Sequence, residues 1–239
     1  MENKLIKDGV RLDGRKLDEL RELKAELNVS RSTEGSAMFS IGDTIAVATV
    51  YGPMEVYPRF LENSEKAVLE VNYTMLPFST DDRNRPGFSR RSVEISSVIK
   101  RVLERAIILE DLPKTKIIIN IDILGADAST RCAAINAASM ALVLAGIPMR
   151  DMVSSCSAGK VEDTLILDVA GKEDTEGDID IPIAYFPLKD EILLLQMDGI
   201  MTKEELDKLM EMVKGGCKQI YDFQKETLLN IEKDLGDNK

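Results

Sequence analysis

The sequence predicts a mixed α/β (α+β) fold made of two related halves packed as one unit. Three observations carry that reading. Short runs rich in Val, Ile and Thr end repeatedly at Gly, Pro or Asp, which marks strands and turns. Longer stretches place apolar residues at helical spacing. Finally, three markers of the first half return in the same order in the second, displaced by roughly 110 to 120 residues. These are Asp43-Thr44 with an apolar run and Gly52 against Asp163-Thr164 with an apolar run and Gly171, a strand closed by Pro77 against one closed by Pro187, and a helix after Ser92 against one after Thr202.

Taken in order, residues 1–22 are a polar N-terminal extension with Arg11-Leu12-Asp13-Gly14-Arg15 as a charged turn. Residues 23–147 form the first half. It opens on a hairpin, residues 37–41 and 44–50 around Gly42-Asp43, which Gly52-Pro53 is expected to end. A polar loop over 53–66 carries Tyr57, Arg59 and Lys66, and a strand over 67–76 stops at Pro77. An arginine-rich loop follows, and Ser89 is placed to cap a helix whose apolar positions include Val93, Val98, Ile99, Val102 and Leu103. A strand at 116–124 leads through Gly125 to an alanine-rich helix over 132–145, read as a tightly packed central helix and stopped at Gly146-Ile147-Pro148. Residues 148–231 form the second half, ending in a long amphipathic helix opened by the capping box Thr202-Lys203-Glu204-Glu205. Residues 232–239 are expected to fray.

Composition excludes several chemistries. The 239-residue chain contains no histidine, which rules out Ser-His-Asp and Cys-His arrangements, a histidine general base and histidine-ligated zinc. Its three cysteines lack CxxC spacing, as expected of small buried residues in a reducing compartment. A net charge of −11 means that a polyanion could bind only at a local basic site. No run of 18 apolar residues is present and the first residues are charged, so a soluble, cytoplasmic protein is expected.

Two features are fit for chemistry. Between residues 168 and 180 stand six carboxylates and one lysine, read as a hairpin loop feeding a strand. Alternation on that strand puts Asp178 and Asp180 opposite Ile179, Ile181 and Ile183. Clustered carboxylates repel unless a cation or a shared proton relieves them; the plain alternative is a solvated acidic turn. The second feature is a pair of helix starts, one with Arg90 and Arg91 behind Ser89, the other with Ser129, Thr130 and Arg131 behind a glycine turn. Free backbone N–H groups and arginine forks suit such starts to phosphate. Residues 81–105 hold seven basic and four acidic side chains, a local +3 in a chain of −11. Phosphoryl transfer matches this set, because positioning and electrostatics carry most of it. An inorganic phosphate nucleophile needs no strong base.

Leu12-Asp13-Gly14-Arg15, Pro77-Phe78-Ser79, Ser89-Arg90-Arg91, Ser129-Thr130-Arg131-Cys132-Ala133-Ala134 and Asp174 spaced before Asp180-Ile181-Pro182 together resemble the RNase PH family, and within it the catalytic RNase PH-like subunits of archaeal exosomes. The resemblance spans residues 8–230. It implies two duplicated βαβ-type halves and a phosphate-dependent 3′→5′ exoribonuclease that releases nucleoside diphosphates and can run backwards to add tails. It also implies a hexameric ring alternating with a non-catalytic RNase PH-like subunit (a trimer of heterodimers), with RNA-binding cap subunits and single-stranded RNA as substrate. By the same resemblance Asp174 and Asp180 are the catalytic and metal-binding pair for Mg²⁺ or Mn²⁺; either could instead be the general acid, with Asp174 the first choice. Arg91, Ser129, Thr130 and Arg131 bind inorganic phosphate, the co-substrate; Arg90 holds the RNA backbone and Arg59 lies in a loop lining the RNA channel. The family's turn often reads Gly-Thr-Arg, so Ser129 brings a Cβ and a hydroxyl where glycine would let phosphate approach closely. The alternatives are a homohexameric RNase PH trimming tRNA 3′ ends and a non-catalytic RNA-binding ring subunit. A small-molecule kinase is disfavoured by the absence of a Gly-rich ATP loop.

Overall fold

The computed structural model describes residues 5–7, 9–87 and 89–236. After a small hairpin, β1 (Ile6–Lys7) and β2 (Val10–Arg11), the first half contains β3 (Leu23–Leu27), β4 (Gly35–Ile41), β5 (Thr44–Glu55), β6 (Val68–Met75), α1 (Arg90–Ala106), β7 (Thr115–Gly125) and α2 (Thr130–Leu144). Its five-stranded sheet has the order β3-β4-β5-β7-β6. β6 and β7 run parallel with α1 as their crossover, a βαβ unit; the other pairings are antiparallel. The second half contains β8 (Ser154–Val161), β9 (Thr164–Leu167), α3 (Lys172–Glu176), β10 (Ile179–Phe186), β11 (Glu191–Leu195) and α4 (Lys203–Gly236). Its antiparallel sheet has the order β11-β10-β8-β9.

Both halves contain a two-residue hairpin at the recurring Asp-Thr marker, β4–β5 after β3 in the first and β8–β9 at the start of the second. In β4–β5 Gly42 holds the left-handed φ of 56°; in β8–β9 Glu162 and Asp163 share it at 47° and 60°. The expected stop at Gly52-Pro53 does not occur. β5 continues to Glu55 across a register shift between Tyr51 and Met54, because a bulge lets a strand pass a proline that cannot donate to the ladder. Ser89 caps α1 as expected, accepting from Ser92 N at 3.0 Å while Ser92 Oγ accepts from Ser89 N at 3.0 Å. The capping box of α4 is also present, Thr202 Oγ1 accepting from Glu205 N and Glu205 Oε2 from Thr202 N. α4 runs to Gly236, past the expected fraying point at residue 232; residues 237–239 of that tail lie outside the described residues.

α2 is the hinge of the packing. It is apolar on all sides and buried from Cys132 to Leu142, lying between β4 and β5 of one sheet and β8 of the other. Its alanines are small because the approach is close: a Cβ on Gly35 would sit 2.3 Å from Ala141 O. One continuous core therefore joins both halves, from Phe39 and Ile121 to Ile181 and Ile220. Cys132, Cys156 and Cys217 are free thiols within it.

The largest departure from expectation lies at 168–178. These residues are no simple hairpin loop; they hold a buried polar turn followed by α3. Asp168, fully buried with φ 54°, accepts from Arg21 N (2.8 Å), Arg21 Nε (2.9 Å), Arg21 Nη2 (2.7 Å) and Arg15 Nη1 (3.1 Å). Glu173 is bound by Arg11, whose Nη1 and Nη2 also donate to the Leu167 and Asp168 carbonyls. The N-terminal extension is thus a set of three buried arginines clamped onto the second half. Removing one partner of such a pair strands a buried charge, so Asp168→Ala is expected to cost about 3–5 kcal/mol in a urea melt. Glu22→Ala, which breaks the exposed pair with Lys24, should cost less than about 1 kcal/mol; equal losses would show that the clamp is not special.

Candidate active site

The site forms where three segments converge under the start of α2. Turn 126–129 delivers Ser129, Thr130 and Arg131; the first turn of α1 delivers Arg91; α3 and β10 deliver Asp174 and Asp180. All six line one cavity of about 310 Å³, together with Thr80, Asn84 and Ser157. A second cavity of about 590 Å³ continues from it, sharing Arg91, Arg131, Asp174 and Asp180 and adding Glu94, Asp178 and Asp198. Six of the eight residues expected from sequence are therefore brought together. The other two are not on either wall: Arg90 is exposed at the first position of α1, and Arg59 is exposed on the 3₁₀ turn Arg59–Leu61.

The turn before α2 shows how a serine is accommodated at this position. Ala128 and Ser129 have left-handed φ values of 59° and 53°, a conformation that favours glycine. Ser129 does not cap the helix with its side chain. Its hydroxyl points away, donating to Val169 O (3.0 Å) and lying 2.6 Å from Ser157 Oγ, which accepts from Val169 N (3.1 Å). Giving each hydroxyl one proton closes a three-bond ring among Ser129, Ser157 and Val169. The ring ties α2 to β8 and to the turn after Asp168, and leaves the first backbone N–H groups of α2 free of a side-chain cap.

The charges in the cavity are unevenly matched. Arg131 Nη2 lies 3.6 Å from Glu94, yet Arg131 Nε is buried with no partner among the described residues. A buried guanidinium donor left unpaired is costly; the same side chain lines the cavity beside Arg91, so two fixed positive charges stand where an anion could bind. Opposite, burial pushes the Asp180 carboxyl up to about 6, and the charge of Asp174 adds to the rise while Arg131 and Arg91 oppose it. Asp174 and Asp180 have no third acidic, His or Cys side chain joining them in a metal-binding cluster among the described residues. Two carboxylates suit Mg²⁺, which keeps several waters and takes substrate phosphate oxygens for the rest of its shell.

Residues 19–148 match domain 1 of the 3′ exoribonuclease family (RNase PH), and residues 151–215 match its domain 2. The chain belongs to the RNase PH family. Among its relatives, the exosome complex component Rrp41 of Pyrococcus furiosus is 49% identical over 226 residues, covering 94% of this chain and 90% of that one. Rrp41 of Methanopyrus kandleri is 48% identical over 227 residues, 95% of each chain. Rice Rrp46 superimposes with a TM-score of 0.83 at 28% identity, covering 92% of this chain and all of that one. The Archaeoglobus fulgidus exosome with RNA bound to the active site contains a chain of the same fold (TM-score 0.79, 24% identity, 90% and 92% coverage).

Several residues of the cavity wall escaped the sequence. Ser157, Thr80 and Asn84 carry no motif; the loop folds on itself, Asn84 Nδ2 donating to Thr80 Oγ1 at 2.8 Å. Asp180 provides a test of the site's electrostatics. Its carboxyl is raised, so between about pH 4 and 6 the folded state keeps a proton that the unfolded chain has released, and stability falls as pH rises through that window. Asp180→Asn should therefore gain melting temperature relative to wild type on going from pH 4 to pH 7.5; a constant difference across that range would contradict the assignment.

Proposed function

We propose that this chain is the phosphorolytic subunit of an archaeal-type exosome, a phosphate-dependent 3′→5′ exoribonuclease. Family membership and the Rrp41 relatives support the class of enzyme. The observation that carries the phosphate site is the presence of Arg91, Arg131 and the start of α2, free of a side-chain cap, on the wall of one cavity.

In this reading the RNA 3′ end enters with its last phosphodiester between the arginines and the carboxylates. Arg91, the Thr130 hydroxyl and the backbone at Thr130 and Arg131 hold inorganic phosphate in line with the phosphorus it attacks. A phosphate oxygen bonds to that phosphorus, the bond to the 3′ oxygen of the preceding nucleotide breaks, and a nucleoside diphosphate leaves. The shortened RNA keeps the 3′ oxygen, which takes a proton. Either member of the acidic pair could give that proton where it is not itself holding the metal; burial raises the Asp180 carboxyl to about 6 when no metal is bound. When bound by Asp174 and Asp180, Mg²⁺ would neutralise charge developing on the phosphoryl oxygens. Phosphate is the acceptor, so the reaction is phosphorolysis and not hydrolysis, and the absence of histidine is no handicap. Arg90 and Arg59, exposed outside the cavity, suit contacts to the RNA backbone further from the cut. The alternating hexameric ring, the cap subunits and a cytoplasmic setting belong to the same proposal; no helix among the described residues is long and apolar enough to cross a membrane.

A 5′-labelled single-stranded RNA incubated with Mg²⁺ should shorten only when inorganic phosphate is added, with release of nucleoside diphosphates, in the chain alone or after addition of the second ring subunit. Asp174→Asn should cut the rate at least about 100-fold, and Arg91→Ala should raise the phosphate concentration needed for half-maximal rate. Release of nucleoside monophosphates without phosphate would make water the nucleophile and end this reading.

A further inference from the structure

One buried polar group at the site is used by none of the roles above. Tyr73 lies in the middle of β6 and is almost wholly buried, yet its phenol reaches the start of α2, where its oxygen is 3.1 Å from Thr130 Oγ1. Its backbone is fixed to α1 as well, Tyr73 N donating to Ser96 Oγ at 2.9 Å, with Ser96 Oγ donating to Ser92 O at 2.7 Å. One residue thus touches Thr130 at the start of α2 and, through Ser96, is linked to Ser92 in the first turn of α1.

The direction of the Tyr73–Thr130 bond matters. A phenol is more acidic than an aliphatic hydroxyl and is the better donor. Burial raises the phenol above its ordinary value against the pull of Thr130, Arg91 and Arg131, so Tyr73 keeps its proton at any working pH. With Tyr73 donating, one lone pair of Thr130 Oγ1 is taken. The Thr130 proton has no acceptor among the described protein groups, while Thr130 forms part of the cavity wall beside Arg91 and Arg131.

We propose that Tyr73 is a positioning residue for the phosphate co-substrate: by donating to Thr130 it sets the Thr130 hydroxyl so that its proton is presented to an anion in the cavity. The chain phenol to hydroxyl to anion also polarises the hydroxyl, strengthening its bond to the ligand. Tyr73 touches no reacting atom and acts only through Thr130. The inference rests on the phosphate site proposed above and adds a residue to it.

The test is a double-mutant cycle read by phosphate dependence. In phosphorolysis of labelled RNA, Tyr73→Phe should raise the phosphate KM about 3–10-fold, the scale of one lost hydrogen bond. The KM for RNA should move less than about twofold, and kcat at saturating phosphate should fall less than the phosphate KM rises. Inorganic phosphate alone, titrated against the melting temperature, should stabilise Tyr73→Phe less than wild type, a readout independent of turnover. Thr130→Ser should retain the effect of Tyr73, whereas in Thr130→Val the further change to Phe at 73 should do nothing. An unchanged phosphate KM in Tyr73→Phe, or additive losses in the double variant, overturns the inference while leaving the phosphate site standing. Wild-type protein that neither requires phosphate nor is stabilised by it removes the site and this role together.

Discussion

Asp168 is the constraint on which the site depends. It is a fully buried carboxylate, and burial of an unpaired charge would be prohibitive. Arg21 answers it with a fork of two side-chain donors and its own backbone N–H, and Arg15 adds a third guanidinium contact. The same Arg21 donates through Nη1 to Asp127 O at 2.6 Å. One guanidinium therefore fixes two turns at once, the one after β9 that leads to Asp174 and the one before α2 that leads to Thr130 and Arg131. These turns belong to different sheets. Their relative position, and with it the spacing of acids to arginines across the cavity, is set by a side chain that touches no substrate.

The acidic run reads differently once this is seen. Its repulsion is divided in two. Asp168 and Glu173 are neutralised inward by Arg11, Arg15 and Arg21. Asp174, Asp178 and Asp180 remain on the cavity side, facing Arg91 and Arg131. The inward pairs hold the turn rigid, so the outward carboxylates can stay close together and one can keep a raised affinity for its proton.

Much of this was legible in the sequence, and the failures have physical causes. The two hairpins, the caps at Ser89 and Thr202, and the buried Ala-rich helix follow from local propensities and periodicity, which the tertiary structure did not override. The convergence of Arg91, Thr130, Arg131, Asp174 and Asp180 was legible because each sits at a helix start or on a strand of recognisable pattern. The clamp was not. Arg11, Arg15 and Arg21 read as a polar surface extension, because charged residues are seldom buried and their carboxylate partners lie some 150 residues away. Tyr73 reads as one more apolar strand position; only packing shows that its oxygen ends at Thr130. Ser129 read as a phosphate-binding residue with its hydroxyl near the anion, because a sequence cannot show a hydroxyl turned toward Val169.

Neither half of the molecule contains the site by itself. β6, α1 and the start of α2 bring Arg91, Thr130 and Arg131, while β8, α3 and β10 bring Ser157, Asp174 and Asp180. α2 packs on both sheets, as does α4 through β3 and β8, and together they join the halves. Alanine stands where a sheet approaches α2 most closely, as at Ala141 against Gly35, and that close packing holds its first turn at the seam between the halves. Chemistry without histidine depends on such placement: arginines, carboxylates and backbone amides gain their effect from fixed positions in a partly dried cavity and not from intrinsic reactivity. The duplicated architecture supplies two sheets, the single continuous core locks them together, and the seam that results has basic groups on one wall and acidic groups on the other.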